Sequence, residues 1–135
     1  MAGADGSQPR VTRLKRRAEF LAVAATRQRW VTPAFVLQAG RQPAPGTEAT
    51  ADIGVGFTAS RRIGKAVARN RARRRLIHAA RAVLPGPARP GYNYVIVARP
   101  AVLTCPFDRL LLDLGTAFAR VTRAPAEPGR SRSRS

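Results

Sequence analysis

The sequence predicts a small α+β fold: a two-layer α/β sandwich with the order helix-strand-strand(-strand)-helix-strand-helix. Three observations carry this. Residues 52–60 (DIGVGFTAS) alternate with period two, which puts Ile53, Val55, Phe57 and Ala59 on one side. Residues 92–100 (YNYVIVARP) hold the Val/Ile run of a buried strand. Phe107, Leu110, Leu111, Leu114, Phe118 and Val121 recur at helical spacing and make one apolar face. Strands interleaved with helices in 135 residues, with no internal repeat, make one domain with one modest core.

The elements follow in chain order. Residues 1–11 are polar and are expected to be a flexible N-terminus. Residues 12–122 form the domain. Residues 16–29 (RRAEFLAVAATRQR) lack Gly and Pro and read as a helix. This helix has two apolar stripes. Leu14, Ala18, Leu21 and Ala25 make one, reaching back before the helix. Phe20, Val23 and Ala24 make the other, flanked by Arg16, Arg17 and Arg27.

Residues 34–39 (AFVLQA) read as a short strand, and GRQPAPGTEAT as a loop. The second face of the 52–60 strand is nearly bare, with Gly54, Gly56, Thr58 and Ser60, so a helix or a ligand can come close to it. The next helix spans 65–84. Leu76, Ile77, Ala80, Val83 and Leu84 share its apolar face, while Arg71, Arg74, His78 and Arg81 lie opposite. Arg69 and Arg73 fall on the apolar side, where an unpaired charge could not be buried. The first two turns should therefore overhang the core. PGPARPG stops this helix. Thr104 or Cys105 is expected to cap the last one, with Pro106 and Asp108 in its first turn. Residues 123–135 (RAPAEPGRSRSRS) read as a disordered basic tail.

Charge narrows the function. The formal net charge is +18, and no acidic residue lies between Asp52 and Asp108. RRIGKAVARNRARRR, residues 61–75, carries eight cations and no acid. A compact chain with that self-repulsion calls for a polyanion, and nucleic acid is the default. An anionic membrane surface would need a strongly apolar face opposite the cations. Cys105 and His78 are each the single residue of their type, which excludes a disulfide framework and a multi-thiolate metal site. No carboxylate or His cluster suggests a catalytic or metal centre. No secretory signal or transmembrane-length run is visible, so a cytoplasmic protein without a membrane partner is expected.

GFTASRRIGKAVARNRARRRLIHAAR resembles the signature of the bacterial ribonuclease P protein component family. It is a strand ending in Gly-x-x-x-Ser and two basic residues, followed by Arg-Asn-Arg and further basic residues on a helix. RLKRRAEF resembles the family's first helix, FVL its first strand and GYNYVIVAR its last. The resemblance covers residues 13–121 in the right order. It implies an α/β sandwich with a left-handed β-α-β crossover, against the usual hand. It also implies a protein subunit that binds a catalytic RNA and the 5′ leader of precursor tRNA, promoting endonucleolytic 5′ maturation.

Carried over by position, the catalytic-RNA contacts are Arg61, Arg62, Lys65, Arg69, Asn70, Arg71, Arg74 and Arg75. The leader contacts are Arg16, Arg17, Phe20, Thr58 and Ser60. No protein side chain is catalytic, and Mg²⁺ is bound by the RNA subunit, with none held by the protein alone. The partners implied are the ribonuclease P RNA and precursor tRNA, with no obligate protein partner.

The residues themselves leave alternatives. Phe20 is a stacking platform or core. Thr58 and Ser60 contact RNA backbone or pack as small residues. Basic composition alone also fits a ribosomal or RNA-chaperone protein. Family members often have aromatics where Gln38 and Ala24 stand, and Asp where Asn93 stands, so the cleft chemistry of this chain departs from the pattern.

Overall fold

Ile53, Val55 and Phe57 alternate with Gly54, Gly56 and Thr58, and this alternation divides the sheet into a thick face and a thin one. The structure, a computed structural model, describes residues 10–42 and 52–122. The expected flexible N-terminus, over 1–9, and the basic tail, 123–135, lie outside the described residues, as does most of the expected loop.

Five strands and three α-helices follow one another: β1 (Val11–Arg13), α1 (Arg17–Ala25), β2 (Gln28–Val31), β3 (Phe35–Arg41), β4 (Ile53–Thr58), a 3₁₀ turn (Arg61–Ile63), α2 (Ala66–Val83), β5 (Tyr92–Ala98), a second 3₁₀ turn (Pro100–Leu103) and α3 (Phe107–Arg120). The strand order is β1-β4-β5-β3-β2. β1 and β5 both run parallel to β4, and α2 is the crossover between β4 and β5. β3 pairs antiparallel with β5 and with β2.

The thick face is the main core. Phe35, Leu37, Ile53, Val55, Tyr94 and Ile96 meet Ala72, Leu76 and Ala80 of α2 and Leu110, Leu114 and Phe118 of α3. The ring of Phe118 stands edge-on to Tyr94, with centroids 4.9 Å apart. Of the stripe that periodicity announced, the last helix buries Leu110, Leu114 and Phe118, with Val121 just beyond it; Leu111 is half-buried and Phe107, at its start, stays exposed. The first fully buried residue of α2 is Ala72; before it Ala68 packs against the rim of the core and Arg69 is half-buried, so the first turns overhang the core only in part.

Among the described residues the thin face is covered by α1 and the segment leading into it, through a small second cluster of Leu14, Val23 and Val95 with Phe20 and Val97 against it. Glycines permit this close packing. A Cβ at Gly40 would stand 2.8 Å from Thr26 Cγ2, and one at Gly54 2.8 Å from Leu14 Cδ2. Of the two stripes on α1, the one with Phe20 and Val23 packs on the sheet, while Leu21 is 56% exposed.

Three local expectations are corrected. The first helix stops at Ala25, because Arg27 takes a left-handed φ of 62° and redirects the chain into β2. The hydroxyl of Thr26 fixes this break, donating to the Ala39 carbonyl at 2.6 Å and accepting from the Gln28 N–H at 3.2 Å. Val11 belongs to β1, whose backbone pairs with β4, and not to a loose segment. Pro106, one residue later than expected, is the N-cap of α3, with Asp108 in the first turn.

Candidate RNA interface

Two cationic surfaces meet where β4 ends. The first is an open cleft on the thin face, beside α1. Glu19 builds its wall: its Oε1 accepts from the Lys15 and Arg16 N–H groups at 3.2 and 3.1 Å, satisfying two amides at the start of α1. The carboxylate thus serves the helix's own amides, and Arg16 and Arg17 stand exposed at the first turn. One turn on, the half-buried ring of Phe20 rests on Gly56, where an added Cβ would lie 2.6 Å from Phe20 Cζ. Phe20 is therefore packed on one side and accessible on the other.

Strand register lays out the cleft floor. Thr58, Val97, Val36 and Val31 form one row across the sheet, and Gly56, Val95, Gln38 and Arg29 form the next. α1 covers part of these rows. Thr58, Val97, Val36 and Gln38 are half-buried, and Arg29 and Val31 are exposed. Arg29, Val31, Val36 and Val97 are floor residues that sequence reasoning did not assign. Burial alternates along Gln28, Arg29, Trp30 and Val31, but the residue types do not, so no period-two signal marked this strand in the sequence.

The second surface is a ridge. Ser60 caps the 3₁₀ turn by accepting from the Arg62 N–H at 3.3 Å, and it remains exposed beside Arg61 and Arg62. Ile63 anchors the turn in the core, and Gly64, with φ 140°, swings the chain into α2. Lys65, Asn70, Arg71 and Arg74 are exposed. Arg69 is half-buried and donates from Nη1 to the Gly64 carbonyl at 3.0 Å, which locks the hinge between turn and helix. Arg73 Nη2 donates to Asn70 Oδ1 at 2.6 Å, so the Asn70 carbonyl is occupied and its NH₂ is left as a donor for an anion.

Arg75 is placed differently from its neighbours. Its guanidinium turns inward, donating to the Cys105 carbonyl and lying 5.8 Å from the centre of the Phe107 ring. His78 is exposed on the outer stripe of α2.

No acidic residue lies on the 3₁₀ turn or on α2, and the Asp113 carboxylate lies 3.4 Å from Arg109 on α3. The field over the ridge is thus of one sign, which raises the local concentration of a polyanion. Among the described residues, no group of three or more His, Cys, Asp or Glu could hold a metal ion, and no helix is long and apolar enough to cross a membrane.

A mixed sandwich with a cationic ridge on one helix and a basic, aromatic-walled cleft on a bare strand face defines a nucleic-acid-binding protein. Known proteins specify which. The ribonuclease P family profile matches residues 9–122. The chain is 49% identical over 113 residues to the ribonuclease P protein component of Paramagnetospirillum magneticum, covering 83% of this chain and 84% of the relative. It is 44% identical over 109 residues to that of Ruegeria pomeroyi, covering 80% and 84%. Among solved structures, the RNase P protein of Thermotoga maritima superposes with a TM-score of 0.66 at 20% identity, covering 80% of this chain and 96% of that one. The Staphylococcus aureus RNase P protein gives 0.60 at 17%, covering 78% and 96%. At those identities the two structures speak for the fold alone.

The chain belongs to the ribonuclease P protein component family. It is a subunit of the ribonucleoprotein endoribonuclease ribonuclease P, and its partner is the ribonuclease P RNA. This favours the subunit reading over the ribosomal or chaperone alternative.

Proposed function

We propose that the ridge formed by Arg61, Arg62, Lys65, Asn70, Arg71 and Arg74 binds the ribonuclease P RNA, while the cleft beside Phe20 holds the single-stranded 5′ leader of precursor tRNA. One observation carries this reading. The Phe20 ring lies on Gly56, two residues before Thr58 ends the strand, and the chain continues through Ser60 into Arg61 and Arg62 of the 3₁₀ turn. Cleft and ridge are therefore joined by a few residues of backbone, and one protein can hold two RNAs in a fixed relation. Base stacking on an aromatic tolerates any base, which suits leaders of varied sequence.

The protein's contribution is positioning and charge screening. Glu19 is engaged with backbone amides and Asp113 lies beside Arg109 on α3, so the described residues offer no paired carboxylates at the cleft or ridge. They do not fit a protein-held divalent ion there, and the Mg²⁺ of the holoenzyme is assigned to the RNA. The same reading carries with it a cytoplasmic location and no obligate protein partner.

The test is reconstitution. The chain is added to a bacterial ribonuclease P RNA at low Mg²⁺, with precursor tRNA carrying a long or a minimal leader. Protein-dependent removal of the leader, stronger for the long leader, is the expected result. Equal stimulation on both substrates would remove the cleft from the account.

A further inference from the structure

On the thick face, away from Phe20, the edge of the sheet leaves a gap beside the second half of α2. A cavity of about 260 Å³ opens there, lined by Val11 and Arg13 of β1, Phe57 of β4, and Ile77, Arg81 and Leu84 of α2. None of its lining residues comes from α3. Its walls are mostly apolar, its only charged residues are Arg13 and Arg81, and no carboxylate lines it. The guanidinium of Arg13 lies 5.1 Å from the centre of the Phe57 ring. That contact makes one wall a flat cationic-aromatic surface.

We propose that this cavity takes one unstacked base of the ribonuclease P RNA, and that it is a third contact, separate from the ridge and from the leader cleft. The size fits a single ring system, since it falls just below the roughly 300–1,000 Å³ of pockets that enclose drug-sized ligands. The chemistry fits a nucleotide: the ring occupies the apolar walls, and its flanking phosphates meet Arg13 and Arg81 at the mouth. The route fits too. Arg71, Arg74, His78 and Arg81 are all exposed and follow one another at helical spacing along the outer face of α2. They form a track about 15 Å long, at 1.5 Å rise per residue, from the ridge to the cavity mouth. A strand of RNA bound at the ridge and followed along this track arrives at the cavity. The leader lies across the sheet from it, so the base is assigned to the catalytic RNA and not to precursor tRNA.

The inference rests on the ridge holding that RNA, and the experiment separates the two. Ile77→Trp fills the cavity without changing charge, whereas Arg71→Gln weakens the ridge alone. The full chain and each variant are titrated with ribonuclease P RNA over a range of salt. Each complex, without and with precursor tRNA, is then probed with base-modifying reagents.

For Ile77→Trp the expected result is affinity lower by about tenfold, the scale of one lost base stack. Its salt slope should be unchanged, and one unpaired nucleotide of the ribonuclease P RNA should become reactive again. Arg71→Gln should lower the salt slope by about one without exposing that nucleotide. Should Ile77→Trp fail to fold, Arg13→Gln with Arg81→Gln, both at exposed positions, carries the same nucleotide readout. The proposal is overturned if the filled or neutralised cavity leaves every nucleotide as protected as before. It is equally overturned if the released nucleotide belongs to precursor tRNA. Loss of effect for Arg71→Gln would instead strike the ridge reading.

Discussion

The Phe20 ring lies directly against the backbone of Gly56: a Cβ placed on that glycine would stand 2.5 Å from Phe20 Cε2. Neither residue is sufficient alone. Without a side chain at position 56, the aromatic settles onto the strand and keeps its other side accessible. Gly56→Ala forces the ring and the start of α1 outward, while Phe20→Ala removes the stacking surface. Both variants should assemble with ribonuclease P RNA as the parent does, yet bind long-leader precursor tRNA about five- to tenfold more weakly, the scale of one base stack. Binding of leaderless tRNA should not change. Loss of affinity for both substrates alike would mean that Phe20 supports the fold and does not hold the leader.

Arg71 and Arg74 are exposed on α2, with no acid near them in sequence. Each cation that neutralises a phosphate contributes about 0.7–0.9 to the slope of log affinity against log salt. Replacing both with Gln should flatten that slope for assembly by about 1.4–1.8 and weaken binding most at low salt. Arg69 is a poorer probe, because its guanidinium also holds the Gly64 carbonyl, so its removal loosens the hinge as well as the field.

Arg75 should behave differently from both. Its guanidinium bonds the Cys105 carbonyl and faces Phe107, and it joins α2 to the entry of α3. Arg75→Ala should cost about 1–3 kcal/mol, the range for a lost charged hydrogen bond that leaves a partly buried carbonyl unpaired. A thermal melt should show a drop of several degrees. The salt slope of RNA assembly should stay close to that of the parent. A flattened slope with an unchanged melt would make Arg75 a phosphate ligand instead.

Arg75 also shows how far the sequence could be read. The gap in acids between Asp52 and Asp108 exposed the ridge, because a missing residue type needs no three-dimensional information. It could not show which cation of the run turns inward, since that depends on where the start of α3 lies. The long α3 stripe and the bare face of β4 were legible because periods of 3.6 and 2 are local properties. β1 was not: its three residues are all exposed and show no alternation, and they form a strand only because β4 offers a free edge. β2 was hidden behind a helix with no Gly or Pro, since the break at Arg27 uses a left-handed non-glycine residue. With β2 unseen, Arg29 and Val31 could not be set beside Gln38 and Val36. The cavity beside Phe57 was out of reach for the same reason, as its lining comes from three separated segments.

Tyr94 offers a prediction that involves no RNA. Its ring is fully buried, and its hydroxyl accepts from the Arg89 N–H at 2.9 Å. Burial penalises the phenolate and raises the pKa above the ordinary 10.0, with the Arg89 hydrogen bond working the other way. The sign follows from proton counting. As pH rises through 10, the unfolded chain releases this proton while the folded chain keeps it, so the folded state binds more protons and stability falls. Below pH 10 the group contributes no slope. The parent should therefore lose stability above about pH 10, until the folded hydroxyl itself ionises. Tyr94→Phe should begin about 1 kcal/mol less stable at neutral pH, because the Arg89 N–H loses its acceptor. It should then decline more gently in alkali. Tyr92, Cys105 and both lysines are common to the two proteins, so the difference between their stability curves isolates Tyr94. Parallel curves from pH 8 to 12 would show that its hydroxyl ionises as freely in the fold as out of it, and the burial argument would then be wrong.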